Sequence, residues 1–392
     1  MKIDFSKIRQ DITHYGDKVF LNSAGASLMP AVVAKKINSY LLEEEKLGGY
    51  FVADTKGKEI EEFYIQAASL IKAKPHNIAF AHDATDAYIK ALSSIDFKKD
   101  DVVITTNDDY SSNQIQFISL QKRFGIKIFR IKNLDNGDLD IVDFQQLVEK
   151  HKPKLVAVSH IPTNSGMIQH VEEVGEICLK HKIIFLLDAC QSVGQLNVDV
   201  NKIKCDFLTT TGRKFLRGPR GTGFLYVSDR MLDNKFAPLM IDGHGARWTG
   251  VDQFEMLKTA KRFQTWEASY ALVLGFTEAL RYANEIGAEN IQSYNEKLMI
   301  HLRQNLSGVK NVEMYDKGSR KCNILTFRKS TKSLSEITEI LNHNNVFYSV
   351  SSKEWGLIDF GKKGIDWAIR LSPHYFNTIK EMDMVTEIID RM

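Results

Sequence analysis

The sequence predicts an α/β protein, with a mostly parallel sheet covered by helices and a smaller α+β unit after it. Three observations predict this. Between about residues 78 and 230, short apolar runs alternate with longer amphipathic segments, as expected of crossover connections between parallel strands. Beyond residue 265 the alternation gives way to long helical patterns and isolated strand-like runs. The 392 residues are 43% hydrophobic and 26% charged, ordinary for a globular chain, and at roughly 150 residues per domain they allow two or three domains.

In chain order the apolar runs are 101–105 (DVVIT), 127–131 (KIFRI), 155–159 (LVAVS), 183–187 (IIFLL), 206–210 (DFLTT) and 223–227 (GFLYV). Amphipathic segments at 141–151 and 172–181 supply helices between them. Long helices follow at 268–284 and 291–306, strands at 323–327 (NILTF) and 346–350 (VFYSV), and helices at 335–342 and 380–392. The expected division is a large domain over 21–265 and a small one built from 1–20 and 266–392. A helical joint rather than a Gly/Ser linker packs the two together, with a site in the cleft between them. In a parallel sheet the ligand lies outside the carboxyl ends of the strands, so the residues just after each run matter most.

Composition narrows the function. Lys and Arg total 52 against 49 Asp and Glu, a formal charge of +3. Spread evenly, this leaves no electrostatic footprint for nucleic acid or an anionic membrane. The four cysteines, Cys178, Cys190, Cys205 and Cys322, form no CxxC pair and no zinc-like spacing with histidine. So few thiols fit a reducing compartment. MKIDFSKIRQDI lacks the apolar stretch of a signal peptide, and no window approaches the ~20 apolar residues that span a bilayer. The expectation is a cytoplasmic protein without a metal.

The fourth run ends in Asp188, within LLDACQSVG. A carboxylate closing a buried strand is costly unless paired; a helix cap or structural ion pair would satisfy it, and so would a cationic ring nitrogen or a metal. The fifth run leads into TTTGRKFLRGPRGTGFLYV. Most loop lysines are simply solvated, but Lys214 stands beside Thr209, Thr210, Thr211, Gly212 and Arg213. Hydroxyls, free backbone and a guanidinium together suit a phosphate. Pyridoxal phosphate needs a lysine for its Schiff base, an acid for its pyridinium nitrogen and a phosphate cradle. One strand separates Asp188 from Lys214, which places both on neighbouring strand ends.

LLDACQSVG followed by TTGRKFLRGPRGTGFLYV resembles the fold-type I pyridoxal-phosphate enzymes of the class V aminotransferase and cysteine desulfurase family. The likeness runs from LNSAGASLMP at 21–30 to RLSPHYFNT at 370–378. It implies that Lys214 forms the Schiff base and shuttles the Cα proton, tasks that need a neutral amine. It also implies Asp188 against the pyridine nitrogen, and Gln191 and Thr163 against the ring's phenolic oxygen; Thr163 stands where the family usually has Asn. Ala84 and Thr85, in AHDATDAYIKAL, would hold the phosphate at a helix N-terminus, although DATDA alone is an ordinary cap. Thr211 and Arg213 would complete that cradle, in place of the family's frequent Ser and His. Tyr110, in NDDYSSNQ, would stack on the ring. Arg370 would grip the substrate carboxylate with its planar fork, with Asn164 and His374 beside it.

Family desulfurases carry a mobile Cys nucleophile in a loop shortly before the position of Arg370. Here that stretch is SVSSKEWGLIDFGKKGIDWAIR, without Cys, and Cys322 reads as a buried structural thiol. Trp266 and Glu267, in RFQTWEAS, replace a small-residue turn that reaches the other subunit's phosphate. DGHGARW at 242–248 and Arg217 in RGPRG also depart from the desulfurase pattern. These variants resemble the branch of ergothioneine-pathway C–S lyases and epimerase-like proteins. The resemblance therefore implies a lyase that eliminates sulfur from a cysteine-derived substrate, releasing pyruvate and ammonia. The alternative is an aminotransferase or epimerase of a small amino acid with the same residues. A homodimer is implied as well, with His244, Arg247, Trp266 and Glu267 reaching toward the partner's site.

Overall fold

The computed structural model describes residues 8–13 and 15–392. Residues 1–7 and 14, part of the N-terminal piece expected to join the small unit, lie outside the described residues. After a two-residue strand, β1 (Val19–Phe20), helices Ala31–Leu47, Gly49–Thr55 and Gly57–Ile71 lead into the large sheet. Its strands are β2 (Ile78–Ala81), β3 (Val102–Thr105), β4 (Lys127–Arg130), β5 (Leu155–Ser159), β6 (Ile184–Asp188), β7 (Phe207–Thr211) and β8 (Gly223–Val227). They lie in the order β2-β8-β7-β6-β5-β3-β4. Only β8 runs antiparallel to its neighbours, pairing with β2 and β7. The six apolar runs are all strands, within a residue of the expected bounds, and β2 is an addition.

Near-continuous hydrophobicity follows from burial on both faces. Val156, Phe185, Leu187 and Leu208 pack into one core, while their strand neighbours Leu155, Ala157, Leu186 and Phe207 pack into another on the opposite face. That is the period of two required by a pleated strand. The edge strand β4 carries Lys127 and Arg130 and is the least buried, which discourages pairing with another chain. Helices Ile141–His151 and Val171–Lys180 cover the sheet where amphipathic segments were expected.

A hairpin, β9 (Ala246–Gly250) and β10 (Gln253–Met256), then projects from the body. Trp248 and Val251 on it are 79% and 88% exposed. Helices Tyr270–Ile286 and Ala288–Ser307 follow, the first packing on Ala31–Leu47 and Gly57–Ile71. The remaining strands are β11 (Val312–Met314), β12 (Leu325–Lys329), β13 (Val346–Phe347), β14 (Ser349–Ser352) and β15 (Trp367–Leu371). Four of them form an antiparallel sheet, β11-β12-β15-β14, while β13 pairs in parallel with β1. The single strand expected at 346–350 is thus two short ones. Helices Leu334–His343 and Ile379–Asp390 each begin with a capping box, Ser333 with Glu336 and Thr378 with Glu381. Helix Leu357–Lys363 was not anticipated from sequence. Among the described residues, no helix is long and apolar enough to cross a membrane, and no cluster could hold a metal ion.

Candidate active site

Strand register brings the chemistry together. Ser159 and Asp188 stand abreast at the carboxyl ends of β5 and β6, and Thr209, midway along β7, pairs with Asp188. Asp188 is buried, and its Oδ1 accepts the Cys190 amide at 2.9 Å while Oδ2 accepts Asn113 Nδ2 at 3.0 Å. The Asn113 amide also donates to Asp109 Oδ1 at 3.0 Å. Asp109 in turn accepts Ser159 Oγ at 2.6 Å, the Tyr110 amide at 2.7 Å and Gln114 Nε2 at 2.8 Å. Burial, and then the neighbouring charge of Asp188, push the Asp109 carboxyl up. Among the described residues no cation forms an ion pair with Asp188. A buried carboxylate with neutral donors only is poised for a cationic partner from a ligand.

Lys214 follows β7 in a tight turn and is also buried. Burial pushes its amine down, helped by the charges of Arg213 and Arg370 and opposed by Cys190 and Asp188. The turn is held from beneath. Arg217, left-handed at φ +57°, donates its amide to the Lys214 carbonyl at 2.9 Å. Its fully buried guanidinium lies over the Tyr375 and Phe376 rings, and Nε donates to the Leu28 carbonyl at 2.9 Å. Gly194, at φ +95°, backs onto Phe215, where a Cβ would sit 2.5 Å from the carbonyl carbon. Any side chain there would push the lysine turn outward.

Both groups open on a cavity of about 290 Å³, also lined by Ala84, Thr85, Tyr110, Thr163, Gln191, Thr211 and Arg213. Helix Ala84–Ser93 points its N-terminus into it. The Asp83 side chain caps Asp86, whereas the amides of Ala84 and Thr85 have no preceding turn to donate to, which suits an anion. Arg213 and Arg220 add two guanidiniums on the wall. Gln191 Nε2 donates to the Ala24 carbonyl at 3.2 Å. A larger hollow, about 550 Å³ beside Lys154, Ile183 and Arg230, lies at the other end of the strands and shares none of these groups.

The residues present fit pyridoxal phosphate by the chemistry of the donor set. An unpaired buried carboxylate lies on one wall, cations and a helix N-terminus on another, with a buried lysine beside them. Every residue expected to touch the cofactor lines this one cavity.

The substrate-side expectations divide. Arg370, on β15, is buried; Nε donates to Ser349 Oγ at 2.9 Å and Nη1 to the Thr163 carbonyl at 3.4 Å. Burial, and then the charge of Arg213, push its guanidinium down to about 10. Asn164 does not line the cavity. Its carbonyl accepts Lys363 Nζ at 2.9 Å, and its amide faces Gly356 so closely that a Cβ there would meet it at 2.8 Å. His374 requires correction. It is fully buried, with Nε2 against the Phe215 carbonyl at 2.8 Å and Nδ1 against Asn295 Nδ2 at 3.2 Å. Neither nitrogen is free for a substrate, and the ring braces the lysine turn instead.

The residues expected to reach a partner lie away from this chain's own cavity. His244 rests against the Trp266 ring, centroids 5.0 Å apart, and both backbone amides donate to Asp242 Oδ1. Arg247 pairs with Glu255 across the hairpin at 2.8 Å. Trp266 is 70% exposed, and Glu267 beside it is exposed too.

Sequence reasoning missed Asp109, Asn113, Ser159, Cys190 and Arg220. Asn113 was findable, one helical turn beyond Tyr110 on the same face. Cys190 lines the cavity beside Asp188, and burial, with the charge of Asp188, pushes its thiol well above its ordinary range. Cys322 is buried, as expected of a structural thiol, and is pushed up to about 12 by burial.

Known proteins share this sequence pattern and this fold. The chain is 25% identical over 394 residues to a probable cysteine desulfurase of Pyrococcus abyssi, covering 98% of this chain and 96% of that protein. It superposes on a cysteine desulfurase of Thermococcus onnurineus with a TM-score of 0.90 at 25% identity, covering 100% and 98% of the two chains. A cystine C–S lyase solved with its product, cysteine persulfide, has the same fold, with a TM-score of 0.85 at 19% identity and coverage of 97% and 99%. The family model "Aminotransferase class-V" matches residues 19–385. With that span matched, the chain belongs to the class V aminotransferase family of pyridoxal-phosphate-dependent enzymes, and the homologues it matches are cysteine desulfurase-like.

Proposed function

We propose that this protein is a C–S lyase that eliminates a sulfur leaving group from Cβ of a cysteine-derived amino acid, without an enzyme thiol as sulfur acceptor. One observation carries the reading. The segment before Arg370, where a desulfurase nucleophile would stand, has no Cys and includes a helix docked by Lys363, whose buried Nζ donates to the Asn164 carbonyl at 2.9 Å. The cavity's one cysteine, Cys190, is held as a thiol by burial.

The residue roles belong to the same proposal. Pyridoxal phosphate, when bound, supplies an electron sink for the pair left at the substrate Cα. Lys214 anchors it and moves the Cα proton at Nζ, a task eased by a buried amine with a lowered pKa. Asp188, oriented by Asn113 and the Cys190 amide, keeps the ring nitrogen protonated. Gln191 and Thr163 hold the phenolic oxygen, and Tyr110 covers one ring face. Ala84, Thr85, Thr211 and Arg213 take the phosphate, and Arg370 takes the substrate carboxylate.

The large domain over 21–265 and the small one of 1–20 and 266–392 are supported by the separate seven- and four-stranded sheets, although helix Tyr270–Ile286 packs into the core of the large sheet. We read the protein as a cytoplasmic homodimer, supported by the exposed Trp248, Val251, Phe254 and Trp266. The departures at Trp266, Glu267 and Arg217 favour the ergothioneine-type lyase branch. Incubation with L-cystine and cysteine conjugates tests the reading. Pyruvate formed in step with ammonia is expected, whereas keto-acid exchange with a second amino acid and no pyruvate would refute it.

A further inference from the structure

Lys363 has no part in the chemistry proposed above, yet its charged side chain is buried. Its side chain is 2% exposed and that of its partner Asp359 is 6%. Burying a charge this way costs several kcal/mol unless geometry recovers it. What the ammonium holds is one main-chain group of the large domain, the Asn164 carbonyl at 2.9 Å. Thr326, on β12, donates to the same carbonyl at 3.3 Å. From the other side Asp108, in the loop after β3, faces Asp359 and Lys363 closely enough to feel both charges. Gly356 packs beside the Asn164 side-chain amide, where an added Cβ would sit 2.8 Å from Nδ2.

The next carbonyl back is that of Thr163, which accepts Arg370 Nη1, while Thr163 itself lines the cavity. The two peptide planes share the Asn164 Cα and turn only about its φ and ψ. Anchoring the Asn164 carbonyl therefore restrains where the Thr163 carbonyl can sit, and with it one of the two acceptors that aim the guanidinium of Arg370. The other is Ser349 Oγ, on Nε.

We propose that Lys363, paired with Asp359 against Asp108, is a positioning residue: it locks the 163–165 loop and thereby sets the angle at which Arg370 meets the carboxylate of an amino-acid substrate. The inference rests on the reading of Arg370 as the carboxylate-binding group. An error of about 1 Å in such a clamp can cost on the order of 100-fold.

The test uses cofactor-loaded enzyme and two probes that shift the cofactor absorption band, L-alanine and ethylamine, the second having no carboxylate. Lys363→Met alone leaves two buried carboxylates unpaired and could unfold the region, so the double variant Lys363→Met/Asp359→Asn is measured beside it. In the double variant the apparent Kd for L-alanine should rise about tenfold or more, with ethylamine within twofold of the parent. L-alanine affinity equal to the parent's would overturn the proposal, and so would equal weakening of both probes, the signature of a packing lesion. If Arg370→Lys leaves the L-alanine titration unchanged, the reading of Arg370 fails and the proposal with it. The Lys363 result taken alone overturns only the positioning role.

Discussion

Arg370 permits a prediction in which stability and activity move in opposite directions. Among the described residues no carboxylate pairs with it, and its hydrogen-bond acceptors are a hydroxyl and a main-chain carbonyl. Its fall from 12.5 to about 10 corresponds to a penalty on the charged form of about 3 kcal/mol at 1.36 kcal/mol per pH unit. Arg370→Met fills similar volume without that charge. It leaves Ser349 Oγ and the Thr163 carbonyl without their donor, at a cost of about 1 kcal/mol each. The ligand-free protein should therefore gain about 1 kcal/mol and melt at a higher temperature.

Activity should fall steeply in the same variant. A bidentate guanidinium–carboxylate contact contributes two charge-assisted hydrogen bonds, each about 1.5–3 kcal/mol. Losing about 4 kcal/mol lowers kcat/KM roughly 1,000-fold at 1.4 kcal/mol per factor of ten. Pyruvate release from L-cystine gives kcat/KM, and thermal unfolding without substrate gives the stability change. A melting temperature several degrees below the parent's would refute the claim that this charge is buried against the fold's own stability. A kcat/KM within tenfold would refute the assignment of Arg370 to the carboxylate.

The other expectations are more local. Lys214→Ala should lose both the cofactor absorption band and turnover, and surviving turnover would move the central role elsewhere. Cys190→Ala should keep kcat within about threefold, because a thiol raised by burial and by Asp188 is a poor nucleophile; a 100-fold loss with persulfide found on the parent enzyme would favour a desulfurase. Trp248→Asp with Val251→Asp should yield a monomer by sedimentation and weaken cofactor retention, whereas an unchanged dimer would remove the hairpin from the interface. Asp108, pushed up from 3.8 to about 7 by burial and then by Asp359, favours the proton in the folded state. Its contribution to stability is complete below pH 4 and lost as pH rises to about 7. Asp108→Asn should therefore be more stable than the parent at pH 8 and level with it near pH 4, and denaturant midpoints across that range check the sign.

The large sheet was legible because strands buried on both faces leave uninterrupted apolar runs, and these end where function begins. Asp188 and Lys214 stand out for that reason, since polar groups closing such runs need a cause. The hairpin Ala246–Met256 was not legible, because its residues alternate toward solvent and carry little core signal. Nor was helix Leu357–Lys363, only two turns long and held by a buried ion pair more than by an apolar face. His374 misled for a related reason. Its neighbourhood in sequence, beside Arg370, implies a shared task, but β15 ends between them and the chain turns the imidazole under Phe215. The bridge from Asp109 through Asn113 to Asp188 joins two chain segments that only the strand order β6-β5-β3 brings together.

The segment before Arg370 separates two chemistries on one framework. A persulfide-forming enzyme must carry a nucleophile to the substrate sulfur and then away to an acceptor, so its loop has to be mobile. Here the same stretch is tied at both ends of its short helix. Gly356 presses on Asn164, and Lys363 closes on Asp359 and the Asn164 carbonyl. Freeing it would expose a buried ion pair and release the loop that aims Arg370. On the proposed lyase reading, the buried lysine at this position replaces a mobile sulfur carrier with a fixed loop beside Arg370. Elimination needs no more than that, because its sulfur departs with the leaving group and no group of the enzyme has to follow it.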